Sequence, residues 1–145
     1  MANEKLSDVA TKVALSPGGE TYVNALGDDT AKPGDAVGVI LATGKVIQTE
    51  IGSSELFVGF LDINVETDMD TAIADGVPCK IIEPKSGHNY NVHIEDPAGP
   101  EGNGFPYTFS DTAGTLEQAA SAILGLFRLK STVATGDLYG IVRKD

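Results

Sequence analysis

Turn signals punctuate this chain so closely that no apolar run is long enough for an extended helix, and a fold of many short strands follows. Seventeen glycines and seven prolines lie among 145 residues, mostly between apolar segments. A chain of this length that is 41% hydrophobic and 21% charged can bury one core and is too apolar for a disordered tail. Val9, Val13 and Leu15 mark a first half-buried strand that ends at Ser16-Pro17-Gly18-Gly19. Thr21 to Ala25 reads as the next. The turn Lys32-Pro33-Gly34-Asp35 launches Ala36 to Leu41, and Ala42-Thr43-Gly44 returns the chain through Lys45 to Thr49 as a hairpin. Leu56 to Ile63 lacks alternation, the mark of a strand buried on both faces.

Asp75-Gly76 precedes a strand over Val77 to Glu83, and Pro84-Lys85-Ser86-Gly87 precedes one over His88 to Glu95. The latter alternates. Tyr90, Val92 and Ile94 share a packed face, and Asn89, Asn91, His93 and Glu95 share one expected to meet water or a partner. A Gly/Pro loop spans residues 96–105. Thr115 to Ala122 carries good helix formers and is expected to form one short helix near residues 115–122. The segment after it, to Lys130, fits a strand, and Leu138 to Arg143 is the last. The expected fold class is mainly β, a small antiparallel β-barrel or sandwich of eight to nine short strands with that one helix. Residues 1–7 read as a flexible N-terminal arm and 8–145 as a single barrel domain.

Charge and motifs narrow the function. A formal net charge of −11 disfavours a sequence-independent grip on nucleic acid or an anionic membrane. Met1-Ala2-Asn3-Glu4-Lys5 lacks the apolar stretch of a signal peptide, and no segment has the length of a transmembrane helix. Cys79 has no partner for an internal disulfide and reads as a small core residue. His88 and His93, five apart, fall on opposite faces of a strand, cannot converge on one metal, and read as surface residues. No nucleophile elbow, zincin helix, P-loop or dinucleotide fingerprint occurs, so no catalytic residue and no cofactor is assigned. Asp62, Asn64, Glu66, Asp68 and Asp70 alternate like calcium ligands, but Thr67 and Ile73 stand where that loop needs Gly and Glu, and a solvated acidic face is the default. Seven carboxylates and no Lys or Arg lie between Glu50 and Asp75, whereas Arg128, Lys130, Arg143 and Lys144 crowd the C-terminal quarter. An acidic edge and a basic edge are therefore expected, as complementary surfaces of an assembly or as scattered surface charge.

One ordered set of turns goes further: Lys32-Pro33-Gly34-Asp35-Ala36-Val37, Gly44-Lys45-Val46, Leu56-Phe57-Val58-Gly59-Phe60-Leu61 and Ala74-Asp75-Gly76-Val77-Pro78-Cys79-Lys80-Ile81. The pattern, over roughly residues 20–83, resembles the small barrels of tailed-virus capsid decoration (head-stabilising, cement) proteins. The resemblance implies a non-enzymatic virion protein, made in the host cytoplasm, that binds the exterior of an icosahedral capsid as a homotrimer and clamps major capsid protein subunits. Candidate contacts are Asn3, Glu4 and Lys5 in the arm, Pro97 and Pro100 in the loop, and the basic residues Arg128, Lys130, Arg143 and Lys144. Phe105, Tyr107 and Phe109 read either as aromatic anchors of that interface or as filling of the domain's own core. The alternative functions are a soluble non-catalytic ligand- or protein-binding barrel, or another virion component such as a tail protein.

Overall fold

The computed structural model describes residues 13–16, 18–63, 68–97, 99–102, 104–119 and 126–144. Ten strands run through them, and the fold is mainly β. The first five are β1 (Thr21–Leu26), β2 (Ala36–Ile40), β3 (Lys45–Gln48), β4 (Gly59–Leu61) and β5 (Pro78–Glu83), with a 3₁₀ turn, η1 (Ile51–Leu56), before β4. They close a barrel in the order β1-β3-β2-β4-β5, sealed by one parallel rung, Leu26 opposite Lys45. The second five are β6 (Asn89–His93), β7 (Pro106–Phe109), β8 (Leu116–Gln118), β9 (Phe127–Leu129) and β10 (Tyr139–Lys144). They form a sheet in the order β6-β10-β9-β7-β8.

The pleat of the barrel wall explains why barrel and sheet pack together. Along β2, β4 and β5, successive side chains alternate between the two sides of the wall. Val37, Leu61 and Ile81 point inward with Ala25, Val46, Ile73 and Cys79 and fill the barrel. Ala36, Phe60 and Ile82, which stand opposite one another in register, point outward. That outward row joins Tyr90, Val92, Tyr107, Phe109, Leu116, Phe127, Leu129 and Val142 from the sheet in one core. Phe60 lies 5.4 Å from Phe127 and 5.6 Å from Tyr90, ring centre to ring centre, and Phe57 meets Phe60, Phe109 and Phe127 edge-on. Burying Phe60 or Ile82 contributes about 1.5–3 kcal/mol each, so the row ties the two halves together. Of the run Leu56 to Ile63, expected as one strand buried on both faces, only Gly59–Leu61 is strand, and it is buried on both faces; Leu56 ends η1 and is exposed. Gly59 permits the double burial, because a Cβ there would run into the Ile82 carbonyl.

A polar seam borders this core. Asp35, at the start of β2, is buried; its Oδ2 accepts from the Lys32 N–H and from Gln48 Nε2, both at 2.8 Å. Its Oδ1 lies 3.9 Å from His93 Nε2 on β6. The His93 N–H donates to the Gly34 carbonyl, and its ring stacks obliquely on Tyr139. Backbone bonds finish the joint: Ala36 N–H to Gly114 O, Gly114 N–H to Thr49 O, and Ile51 N–H to Ser110 O. Gly114 takes a positive φ of 86°, and a Cβ there would press on the Asp35 carboxyl.

Several expectations need correction. Residues 115–119 form no helix: Leu116–Gln118 is strand β8, paired with Tyr107 to Phe109, and residues 120–122 lie outside the described residues. Pairing and the burial of Leu116 override helix propensity there. The second face of β6 is not open, since Asn91 and His93 are buried beneath the 32–35 turn and Met69, whose sulfur receives the Asn91 amide at 3.3 Å. Neither histidine is a plain surface residue. His88 Nδ1 sits 2.6 Å from the Glu20 carboxylate, which also accepts from the Tyr90 hydroxyl at 2.9 Å. Of the first expected strand only residues 13–15 are described; they run antiparallel to β6 through the Ala14–Tyr90 bridge.

Burial is the largest influence on Asp35 and raises its pKa, with His93 and the bonds from Lys32 and Gln48 opposing. The folded chain thus holds this proton more tightly than the unfolded chain, and the associated stability is present at low pH and lost as pH rises through the folded value. Asp35→Asn keeps an acceptor oxygen and removes the charge. Urea unfolding across pH should show the wild type losing stability relative to Asp35→Asn as pH climbs above about 3.9, the ordinary aspartate value, and then a constant offset. Parallel profiles for the two proteins would contradict this account of the seam.

Candidate assembly surface

The residues singled out in the sequence do not form one surface. Asn3, Glu4 and Lys5, with the whole expected arm of residues 1–7, lie outside the described residues. Tyr107 and Phe109 are buried in the shared core and Phe105 packs against it, so the core reading of these aromatics stands. Tyr107 keeps its hydroxyl on the Glu101 carboxylate. The 96–105 loop is no free arm either. Glu101 and Val133 exchange both backbone hydrogen bonds, Gly104 N–H reaches Leu129 O, and Asp96 accepts from Gly136 N–H at 2.7 Å. Pro97 is buried and Pro100 is exposed at the tip.

The four basic residues fare differently. Arg128 on β9 and Arg143 on β10 stand directly opposite each other on the outer face of the sheet, opposite in sense to Phe127 and Val142. Lys130 follows β9, and Lys144 pairs with Phe127 at the end of the sheet. All four are half-buried. The expected acidic edge does not gather. Glu50 precedes η1 and Glu55 lies within it, Asp62 follows β4, Asp68 caps its own turn through the Asp70 N–H and Thr71 hydroxyl, and Asp75 pairs with Lys45 at 2.7 Å. Glu66 lies outside the described residues. Among the described residues, no three His, Cys, Asp or Glu side chains converge as a metal site.

Two surface features were not legible in the sequence. The first is an acidic cleft of about 220 Å³ at the far end of the sheet, lined by Glu95, Asp96, Glu101, Glu117 and the Tyr107 ring. Its carboxylates come from three separate segments. Bonds from the Ser110 and Thr112 hydroxyls hold Glu95 below the ordinary carboxylate range, while burial and the nearby Glu95 charge push Glu117 above it. The second is apolar. Ile40, Lys45, Leu26 and Pro78 form one register row across β2, β3, β1 and β5 on the outside of the barrel. Leu41, 94% exposed, and Val77 extend it at the rim, and Leu56 covers Gly38 on the same face. A shallow groove of about 290 Å³ between β1 and β5 opens beside it. Cys79 sits beneath that groove, and burial, aided by Asp28, pushes its thiol up to about 11, which leaves it inert at neutral pH.

No family model and no curated protein matches this chain.

Because the folded chain holds the Glu117 proton more tightly than the unfolded chain, the stability tied to that proton is lost as pH rises. Glu117→Gln retains a donor toward Glu95 without the second charge. Its melting temperature should match the wild type near pH 3 and exceed it by pH 7, since the difference opens above about 4.3, the ordinary glutamate value. A difference that is the same at both pH values would overturn the like-charge account of this cleft.

Proposed function

We propose that this protein is a structural component of a virion that binds the outer surface of an icosahedral capsid, as a homotrimer, and stabilises contacts between major capsid subunits without catalysing a reaction. One observation carries the reading. The four sequence segments that resemble decoration proteins are the segments that build the closed barrel: the 32–35 turn feeds β2, Gly44 closes the hairpin with a φ of 74°, Gly59 lets β4 meet β5, and Gly76, at 77°, turns the chain toward β5. The barrel closes over residues 21–83, the same span as the resemblance. The apolar row outside it is a surface of the kind that marks protein contacts.

Such a protein acts by mass action. It binds the assembled shell and not its separated subunits, so each copy bound shifts the shell toward the assembled state. Density-gradient sedimentation of a source lysate, probed with an antibody to this chain, is the test. Migration with megadalton particles supports the virion reading. Recovery only at the top of the gradient, as a small species, would overturn it in favour of a soluble binding module.

A further inference from the structure

We infer that the outer face of the second sheet, at the cross-strand pair Arg128–Arg143 and the neighbouring Lys130, is a docking surface for a short carboxylate-rich segment of another protein. The inference does not need the virion reading; it gives an occupant to basic residues that the proposed function leaves without a role. Register builds the surface. Asn89, Arg143, Arg128 and Pro106 stand side by side across β6, β10, β9 and β7, and Asn91, Ile141 and Lys130 form the next row on the same side. Asn91 is buried under the 32–35 turn, which closes one end of the face, while Arg143, Arg128, Lys130, Ile141 and Pro106 are half-buried. Directly opposite residues of an antiparallel pair hold their Cβ atoms about 4.5–5.5 Å apart, and like charges so placed repel one another. A carboxylate seated between the two guanidiniums removes that repulsion and accepts from both, since each planar fork of N–H donors matches carboxylate oxygens.

Charge selects the kind of occupant. The two rows carry three cations and no carboxylate. Of the charged groups nearby, Glu20 is held by His88 and Tyr90 on the opposite face of β6, and Lys144 falls in the Phe127 row on that opposite face. Glu117, on the Arg128 side, is two strands away on β8 and belongs to the acidic cleft. Asp145, which follows Lys144 in sequence, lies outside the described residues. The rest of the molecule decides between anions. At −11 overall, the chain repels an extended polyanion such as nucleic acid or an anionic bilayer, whose charge continues past this surface. A segment of a few Asp or Glu residues places its charge over the cations alone.

Fluorescence anisotropy of a fluorescein-labelled hexaglutamate peptide, titrated with the purified full chain in about 20 mM salt, where surface charges are weakly screened, tests the surface. The wild type should bind, and more weakly as salt rises. Arg128→Gln and Arg143→Gln should each weaken binding about tenfold, the loss of one charge-assisted hydrogen bond, whereas Lys45→Gln, on the barrel, should bind like the wild type. Circular dichroism checks that each variant is folded. Where an arginine variant is not, Lys130→Gln replaces it and should weaken binding about threefold, as for a single exposed ion pair. A wild type that does not bind the peptide, or sheet-face variants that bind it normally, would overturn the inference. Tighter binding of a hexathymidine oligonucleotide than of hexaglutamate would overturn the carboxylate class. Self-association that Arg128→Gln abolishes would give the surface to a second copy's acidic cleft and overturn a foreign partner. Peptide binding by a protein absent from particles would sustain this surface and remove the virion reading, so the two fail separately.

Discussion

One row of three side chains, Ala36, Phe60 and Ile82, decides the architecture. In an isolated five-stranded barrel these outward positions would face water, and a phenylalanine there would be a liability. Here they form the floor of the second core, so the barrel wall has two apolar sides and the sheet has something to pack on. The sheet in turn needs the wall, because its packed face of Tyr90, Val92, Phe127, Leu129 and Val142 is buried against it. The Asp35 seam and Gly114 follow from that joint, where the two halves approach too closely for a larger or unpartnered group, and Gly59 lets β4 and β5 close within the wall itself.

Most of the strands of the barrel half were readable, because their limits are set locally by Pro-Gly, Thr-Gly and Asp-Gly turns whose backbone demands few residues meet. The double burial of β4 was readable for a related reason, since its lack of alternation reports two apolar environments. What failed depended on distant partners. Thr115 to Ala119 has the composition of a helix start, yet Leu116 is drawn into the shared core and Glu117 lies in register with Thr108. Asn91 and His93 alternate as an open face should, yet the barrel's 32–35 turn closes over them. The acidic cleft, to which the 95–101 segment and Glu117 on β8 contribute, leaves no local signal. The apolar row outside the barrel is equally invisible, because Leu26, Ile40, Lys45 and Pro78 become neighbours only through strand pairing.

The surfaces that result are unlike one another. An apolar barrel face suits a protein contact, and an acidic sheet end suits a basic partner or open water. Under the proposed virion role, a rigid block with two such faces can present a different surface to each neighbour, as a clamp across capsid subunits requires. Rigidity is essential to that role, because a clamp whose halves open independently transmits little of its binding energy to the shell.

Native-state hydrogen exchange, read amide by amide, tests whether barrel and sheet are one body. The strand amides of β5 in the barrel and of β6 and β10 in the sheet should open with the same free energy, within about 1 kcal/mol, and respond equally to low denaturant. If β5 remained protected while β6 and β10 exchanged through a separate, lower-energy opening, the shared core around Phe60 would not be the element on which the fold depends.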